Sequence, residues 1–228
     1  MNSLLIDNLK ALILLIHLSG LAFGIGGAWI LDLYILRKMH KSPVTKENIQ
    51  ILMFVSNLVV LGLAMLWVSG LLFIVYYNFM QPESLSNPKI WSKLTIVAVL
   101  TVNGYYLHKV VLPLILNNEG KLLIDAISLK EMNILMLTGC ISFVTWPLAM
   151  FLGTFKSLNF AFSFIEIMAA YLVILTLSIT VAFILKGFLI QRQMGRKIEQ
   201  LNESLLTSKQ QLVTKQRDIE VLTKALKI

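Results

Sequence analysis

The chain has 228 residues, of which 57% are hydrophobic and 14% charged, and its mean hydropathy is +0.78. Soluble domains are rarely so apolar, and here the excess comes in runs of roughly 20 residues or more, long enough to cross a hydrocarbon core of about 30 Å. The formal net charge of +8 comes without the basic patch and stacking aromatics that nucleic acid requires, which excludes that partner, and a single cysteine, Cys140, excludes an intramolecular disulfide.

Five apolar runs follow in chain order, at 11–36, 50–77, 94–116, 133–154 and 161–186. The breaks "RKMHKSPVTKEN", "NFMQPESLSNPK", "NNEGKLLIDAISLKEMN" and "GTFKSLN" carry the charge, Pro, Asn and Gly that end helices. No alternating strand pattern occurs, which argues against a β-barrel. The expected fold is therefore all-α: a polytopic bundle of five transmembrane helices over 1–190, followed by a cytoplasmic coiled-coil helix over 191–228.

The first run contains "HLSGLAFGIGGAWILDLYILRK" (residues 17–38). Gly20, Gly24 and Ala28 have the small-xxx-small spacing that lets another helix approach the backbone, and Gly27 adds a small residue on a neighbouring face. A phosphate-cradling loop would need a strand-to-helix turn open to water, and "GIGG" lies mid-span without a GxGxxG or GKS/GKT continuation. Residues 1–10 lack a basic n-region and no small-residue cleavage site follows, so the run reads as a retained span.

Ionisable residues at membrane depth are costly unless paired or hydrated, which makes each a candidate site. His17, Asp32, His108 and Glu166 qualify, with Asn57 and Asn103 as further polar groups that need partners; Lys109 can snorkel to the interface. Sorted by depth they form two layers. Asp32, Asn57 and His108, with Asn103 near mid-span, lie towards the cytoplasm; His17 and Glu166 lie towards the outside, near Trp146. An Asp32–His108 contact and a Glu166–His17 contact would each orient an imidazole and favour its charged form. Polar residues gluing helices together and a proton, ion or cofactor site both remain open readings of these layers.

His17 and His108 on different spans raise the idea of bis-histidine haem b. The first and third spans run in the same direction, and the positions of the two residues within them separate the imidazoles in depth by roughly 14 Å at 1.5 Å per residue, too far to share one iron. His40 belongs to the basic first loop. HExxH, CxxC, GxSxG and Walker patterns are missing from the sequence, as are paired carboxylates in a loop, so no catalytic residues are assigned. The ten methionines are scattered rather than grouped as MxxM or MxM, a weak basis for copper. No cofactor is expected, with haem b or copper as the alternatives.

Positively charged loops stay cytoplasmic. Placing the N-terminus outside leaves Lys10, Lys89, Lys93 and Lys156 external, against fifteen Lys and Arg in the first loop, the third loop and the tail. The C-terminus is then cytoplasmic, and a reversed signal-anchor is the weaker alternative.

From Gln191 the composition turns to Gln, Lys, Glu and Ser, yet Met194, Ile198, Leu201, Leu205, Leu212, Ile219, Leu222 and Leu226 keep heptad register. Every a position is apolar, whereas Ser208 and Lys215 occupy d positions and weaken the seam. Only Gly195 interrupts good helix formers, so the helix can continue from the fifth span for roughly 55 Å at 1.5 Å per residue. A solvated helix must bury its stripe, which implies a homodimer or a helical protein partner through residues 194–226; folding back on its own loops is the alternative.

Three stretches, "HLSGLAFGIGGAWILD", "GLAMLWVSG" and "SNPKIWSKLTIVAVLTVNGYYLHKVVLP", make the span region resemble uncharacterised bacterial membrane proteins distantly similar to copper-resistance D-type proteins and other small, sometimes haem-binding, helical membrane domains. The resemblance covers about half the chain and leaves out the tail. It implies a bacterial cytoplasmic membrane location and makes His17 and His108, each singly, candidate metal or haem contacts. Two function classes follow. One is a non-enzymatic sensor or scaffold whose cytoplasmic coiled coil mediates self-association or partner docking. The other is a haem-, metal- or proton-handling protein that uses the intramembrane histidines and acids.

Overall fold

The computed structural model describes residues 3–38 and 42–225. Its long helices are α1 (Ser3–Lys38), α2 (Lys46–Met80), α3 (Pro88–Tyr106), α6 (Leu129–Thr154) and α7 (Phe164–Ala225). A π-helical turn, Leu107–Val111, joins α3 to the short α4 (Leu112–Leu116), and the one-turn α5 (Leu123–Ala126) precedes α6. Among the described residues five segments are long and apolar enough to cross a membrane: Leu4–Arg37, Lys46–Met80, Pro88–Leu116, Leu129–Thr154 and Phe164–Phe188. The first four long helices start several residues before the apolar runs do, whereas α7 starts at Phe164, three residues after the fifth run begins, because polar caps rather than hydropathy set helix ends. The Thr45 side chain accepts from the Asn48 amide, Asn87 accepts from the Lys89 amide with Pro88 in the first turn, and Ser128 and Glu131 form a reciprocal capping box.

Side-chain pairings give the direction of each helix. Along α1, Gly20, Gly27 and Tyr34 meet Gly62, Val59 and Asn48 of α2 in turn, so the two run antiparallel. Trp67 and Ser56 of α2 bond Thr101 of α3 and His108 of the π turn, again with opposed numbering. Lys89 and Asn103 pair with Phe155 and Thr138 at successive depths of α6, and Thr145 of α6 meets Tyr171 of α7. The five spans therefore alternate in direction.

Close approach between α1 and α2 rests on glycine. A Cβ at Gly20 would lie 2.8 Å from Met65 Cβ and 2.9 Å from the Gly62 carbonyl oxygen; one at Gly24 would overlap the Trp146 indole. Ala28, 3% exposed, completes this face, packed in one cluster with Leu66, Leu100 and Trp146, the last only 2% exposed. A second cluster, Ile96, Leu152, Ile167 and Tyr171, seats the start of α7 on α3 and α6. The remaining apolar surface of the spans, including Phe54, Val102, Leu172 and Leu177, is exposed, as a surface solvated by lipid acyl chains would be.

At one end of the bundle the first and third loops are joined: the Val44 amide donates to the Lys121 carbonyl (3.0 Å), and the Gly120 amide donates to the Val44 carbonyl (2.8 Å). Gly120 takes a φ of +79° there, which a side chain would strain. Leu123, Ile124 and Ile127 are buried in what the sequence presents as a polar break. At the other end Lys89 Nζ donates to the Phe155 carbonyl (2.8 Å) and to Asn159 Oδ1 (2.7 Å), tying the start of α3 to the loop before α7.

The chain divides into two compact units, Met1–Thr180 and Val181–Ile228. In the second unit α7 carries Met194, Ile198, Leu201, Leu205, Leu212 and Ile219, all exposed in the single chain. The Leu222 side chain and Leu226 lie outside the described residues, as does His40.

Candidate functional site

The acid, amides and imidazole assigned to the cytoplasmic-side layer, Asp32, Asn57, Asn103 and His108, line a single cavity of about 460 Å³ within the first unit. Four elements bring them there. Asp32 lies towards the C-terminal end of α1, Asn57 on α2, Asn103 near the end of α3 and His108 on the π turn. The π turn has a local cause: Pro113 has no amide hydrogen and its ring would clash with the Lys109 carbonyl four residues back. The backbone widens instead, with the Leu112 amide donating to the Leu107 carbonyl five residues back. Such turns recur at functional sites, where they re-aim a side chain within an otherwise regular helix. Here the re-aimed side chain is His108, whose Nε2 lies 3.0 Å from Ser56 Oγ.

Each polar group has a different degree of satisfaction. Asn103 is buried and donates through Nδ2 to the Thr138 carbonyl (3.0 Å), while the Thr138 hydroxyl donates back along its own helix to the Ile134 carbonyl (2.9 Å). Ser142 stands beside Asp32. Asp32 Oδ2 is nevertheless buried with no hydrogen-bond partner among the described residues. Asp32 and His108 thus share a wall without bonding to each other, because His108 reaches Ser56 on α2. Trp146 closes one side of the cavity and Tyr105 and Thr101 add further polar lining.

The outer layer comes apart. His17 Nδ1 lies 2.9 Å from Ser69 Oγ, and the Ser69 hydroxyl donates to the Met65 carbonyl (2.6 Å). A hydroxyl with its hydrogen so committed accepts from the imidazole, which places the His17 proton on Nδ1. Phe73 meets the ring edge-on, with centroids 5.7 Å apart. Glu166 does not join this group. Its Oε2 accepts from the Ser163 amide (2.7 Å) and from the Ser163 hydroxyl (2.9 Å), while the Ser163 oxygen accepts from the Glu166 amide (3.3 Å). Glu166 is a helix-capping residue, and it borders a second, largely apolar cavity of about 330 Å³ together with Ile96, Leu152 and Tyr171.

The serine partners also separate the two histidines. Ser56 and Ser69 sit on one uninterrupted helix, thirteen positions apart, which is roughly 20 Å along its axis at 1.5 Å per residue. One iron cannot take both as axial ligands. Among the described residues no group of three or more His, Cys, Asp or Glu side chains could hold a metal ion.

Serines 56, 69 and 142 carry the partnerships that the sequence reading passes over. A lone serine in an apolar run looks like a small packing residue, and only its helical offset from a ligand-bearing neighbour would mark it. Glu166 had a readable signal, since "SFIE" and "SLKE" are both S-x-x-E capping boxes opening apolar helices.

The fold defines a class: an all-α, largely apolar membrane protein with, among the described residues, five helices able to span a bilayer. Compared with known proteins, the chain matches no family model, no curated protein and no solved structure.

Proposed function

We propose that the protein is a non-enzymatic membrane sensor or scaffold. The bundle is inserted with its N-terminus outside and its C-terminus cytoplasmic, and the tail of α7 self-associates as a parallel helical pair or docks a helical partner. The observation that carries this reading is the row Ile198, Leu201, Leu205 and Leu212, spaced as a and d positions and between 55% and 64% exposed in the single chain. Burial of such a stripe against a second helix is the usual source of coiled-coil stability. Two identical chains in one membrane, both with cytoplasmic tails, can align these positions in register. Lys215 and Ser208 at d positions keep the pair weak enough to be remodelled. The test is the oligomeric state of detergent-purified protein: Leu205→Lys should shift it towards monomer and Lys215→Leu towards dimer. If neither substitution moves it, self-association through the tail is wrong.

A second reading, an ion- or proton-handling bundle, is favoured by the unpartnered Asp32 carboxylate oxygen at membrane depth. Proton flux into liposomes under an imposed potential tests it. Flux abolished by Asp32→Asn supports this reading, and proteoliposomes no leakier than empty ones remove it.

A further inference from the structure

We infer that the intramembrane cavity is a binding site for a lipophilic amine, a ligand with one protonated nitrogen and an apolar body. This inference goes beyond the tail and does not depend on it.

Size comes first. At about 460 Å³ the cavity falls within the range of small-molecule sites, roughly 300–1,000 Å³. Most of its wall is aliphatic, supplied by residues such as Leu52, Leu63 and Leu100, with the flat face of Trp146 on one side. That wall suits a hydrocarbon or aromatic body. It does not suit a bare metal ion, which takes several oxygen ligands converging on one point.

Charge comes second. Among the described residues Asp32 is the one acidic side chain on the wall, no Lys or Arg lines it, and Asp32 Oδ2 is buried without a partner. A carboxylate held in hydrocarbon needs a counter-charge or a proton. The one basic side chain on the wall, His108, directs its Nε2 to Ser56 instead. A ligand ammonium can supply the missing charge and up to three donors, and the carboxylate is an acceptor for them. The Asn57 amide, on the same wall and exposed, offers a carbonyl acceptor for a second N–H. An anionic ligand would meet Asp32 with no cation to offset it.

The experiment compares three probes of one shape on the full-length, detergent-purified chain: 4-phenylbutylamine, the neutral 4-phenylbutanol and the anionic 4-phenylbutyrate. Tryptophan fluorescence, to which Trp146 on the cavity wall contributes, and the thermal unfolding midpoint report occupancy, since a ligand that binds only the folded state raises the midpoint saturably. The amine should bind at least tenfold more tightly than the alcohol, and the carboxylate should not bind. Asp32→Asn, nearly isosteric, should reduce the amine to the level of the alcohol. Equal effects of amine and alcohol on the native chain would overturn the proposal and leave the cavity as a lipid-filled void. So would a preference for the amine that survives in Asp32→Asn, which would be partitioning into detergent. Should Asp32→Asn fail to fold, Leu63→Phe, which fills part of the cavity, serves as the control: an amine preference undiminished there is partitioning and overturns the proposal.

Discussion

Gly62 of α2 lies directly against Gly24 of α1: a Cβ at Gly62 would stand 2.6 Å from the Gly24 amide nitrogen and 2.7 Å from the Gly20 carbonyl oxygen. Both neighbours are backbone atoms and cannot turn aside as a side chain would. Gly62→Ala should therefore force α1 and α2 apart, costing about 1–3 kcal/mol, and lower the thermal midpoint of the purified protein. Gly70→Ala on the same helix meets nothing within 4 Å and should leave the midpoint unchanged or slightly raised, because alanine loses less backbone entropy in a helix. Equal midpoints for the two variants would mean that the close crossing is not what holds these helices together.

The two histidines should couple to their serines and not to each other's layer. Double-mutant cycles of His17 with Ser69 and of His108 with Ser56 should each give coupling of about 0.5 kcal/mol or more, in line with the net worth of a single side-chain hydrogen bond. A cycle of His17 with Glu166 should be additive, since Glu166 is committed to Ser163. Coupling of His17 to Glu166 as large as that to Ser69 would return the outer layer to a paired acid and base.

What could be read in the sequence follows from how each feature is encoded. Five long apolar helices are legible in the sequence because each is a long apolar run between polar breaks, and position along those helices is also what brings Asp32, Asn57, Asn103 and His108 to the wall of one cavity. Facing was not legible. Whether Asp32 meets His108 depends on helix rotation and on the π turn that Pro113 imposes, and neither is encoded in depth. Glu166 illustrates a different failure: a carboxylate near a span end was read as a partner for His17 when its spacing from Ser163 already specified a local cap. The buried turn Leu123–Ala126 was hidden for a similar reason, since a short amphipathic segment between charged residues has too few apolar positions to stand out from a loop.

Orientation has a direct test. The Val44 bonds to Gly120 and Lys121 put the first and third loops on one face, the face that the proposed orientation turns to the cytoplasm. In a Cys140→Ser background, Cys at Ser42 and Cys at Glu119 should both resist an impermeant thiol reagent applied to intact cells, and Cys at Ser86 should be labelled. Labelling of Ser42 and protection of Ser86 would invert the topology. Opposite results at Ser42 and Glu119 would contradict the joined loops themselves.

Disulfide cross-linking across the tail in native membranes bears most directly on the proposal that α7 mediates self-association. In the Cys140→Ser background, Leu205→Cys puts a thiol at an a position, where a parallel pair brings it against its own copy, and Gln210→Cys puts one at an f position on the far side of the helix. Oxidation should convert Leu205→Cys to a covalent dimer within minutes while Gln210→Cys stays monomeric, and Leu212→Cys, one heptad further on, should repeat the a-position result. Cross-linking that is absent at 205 and 212, or no greater there than at 210, would contradict the paired tail.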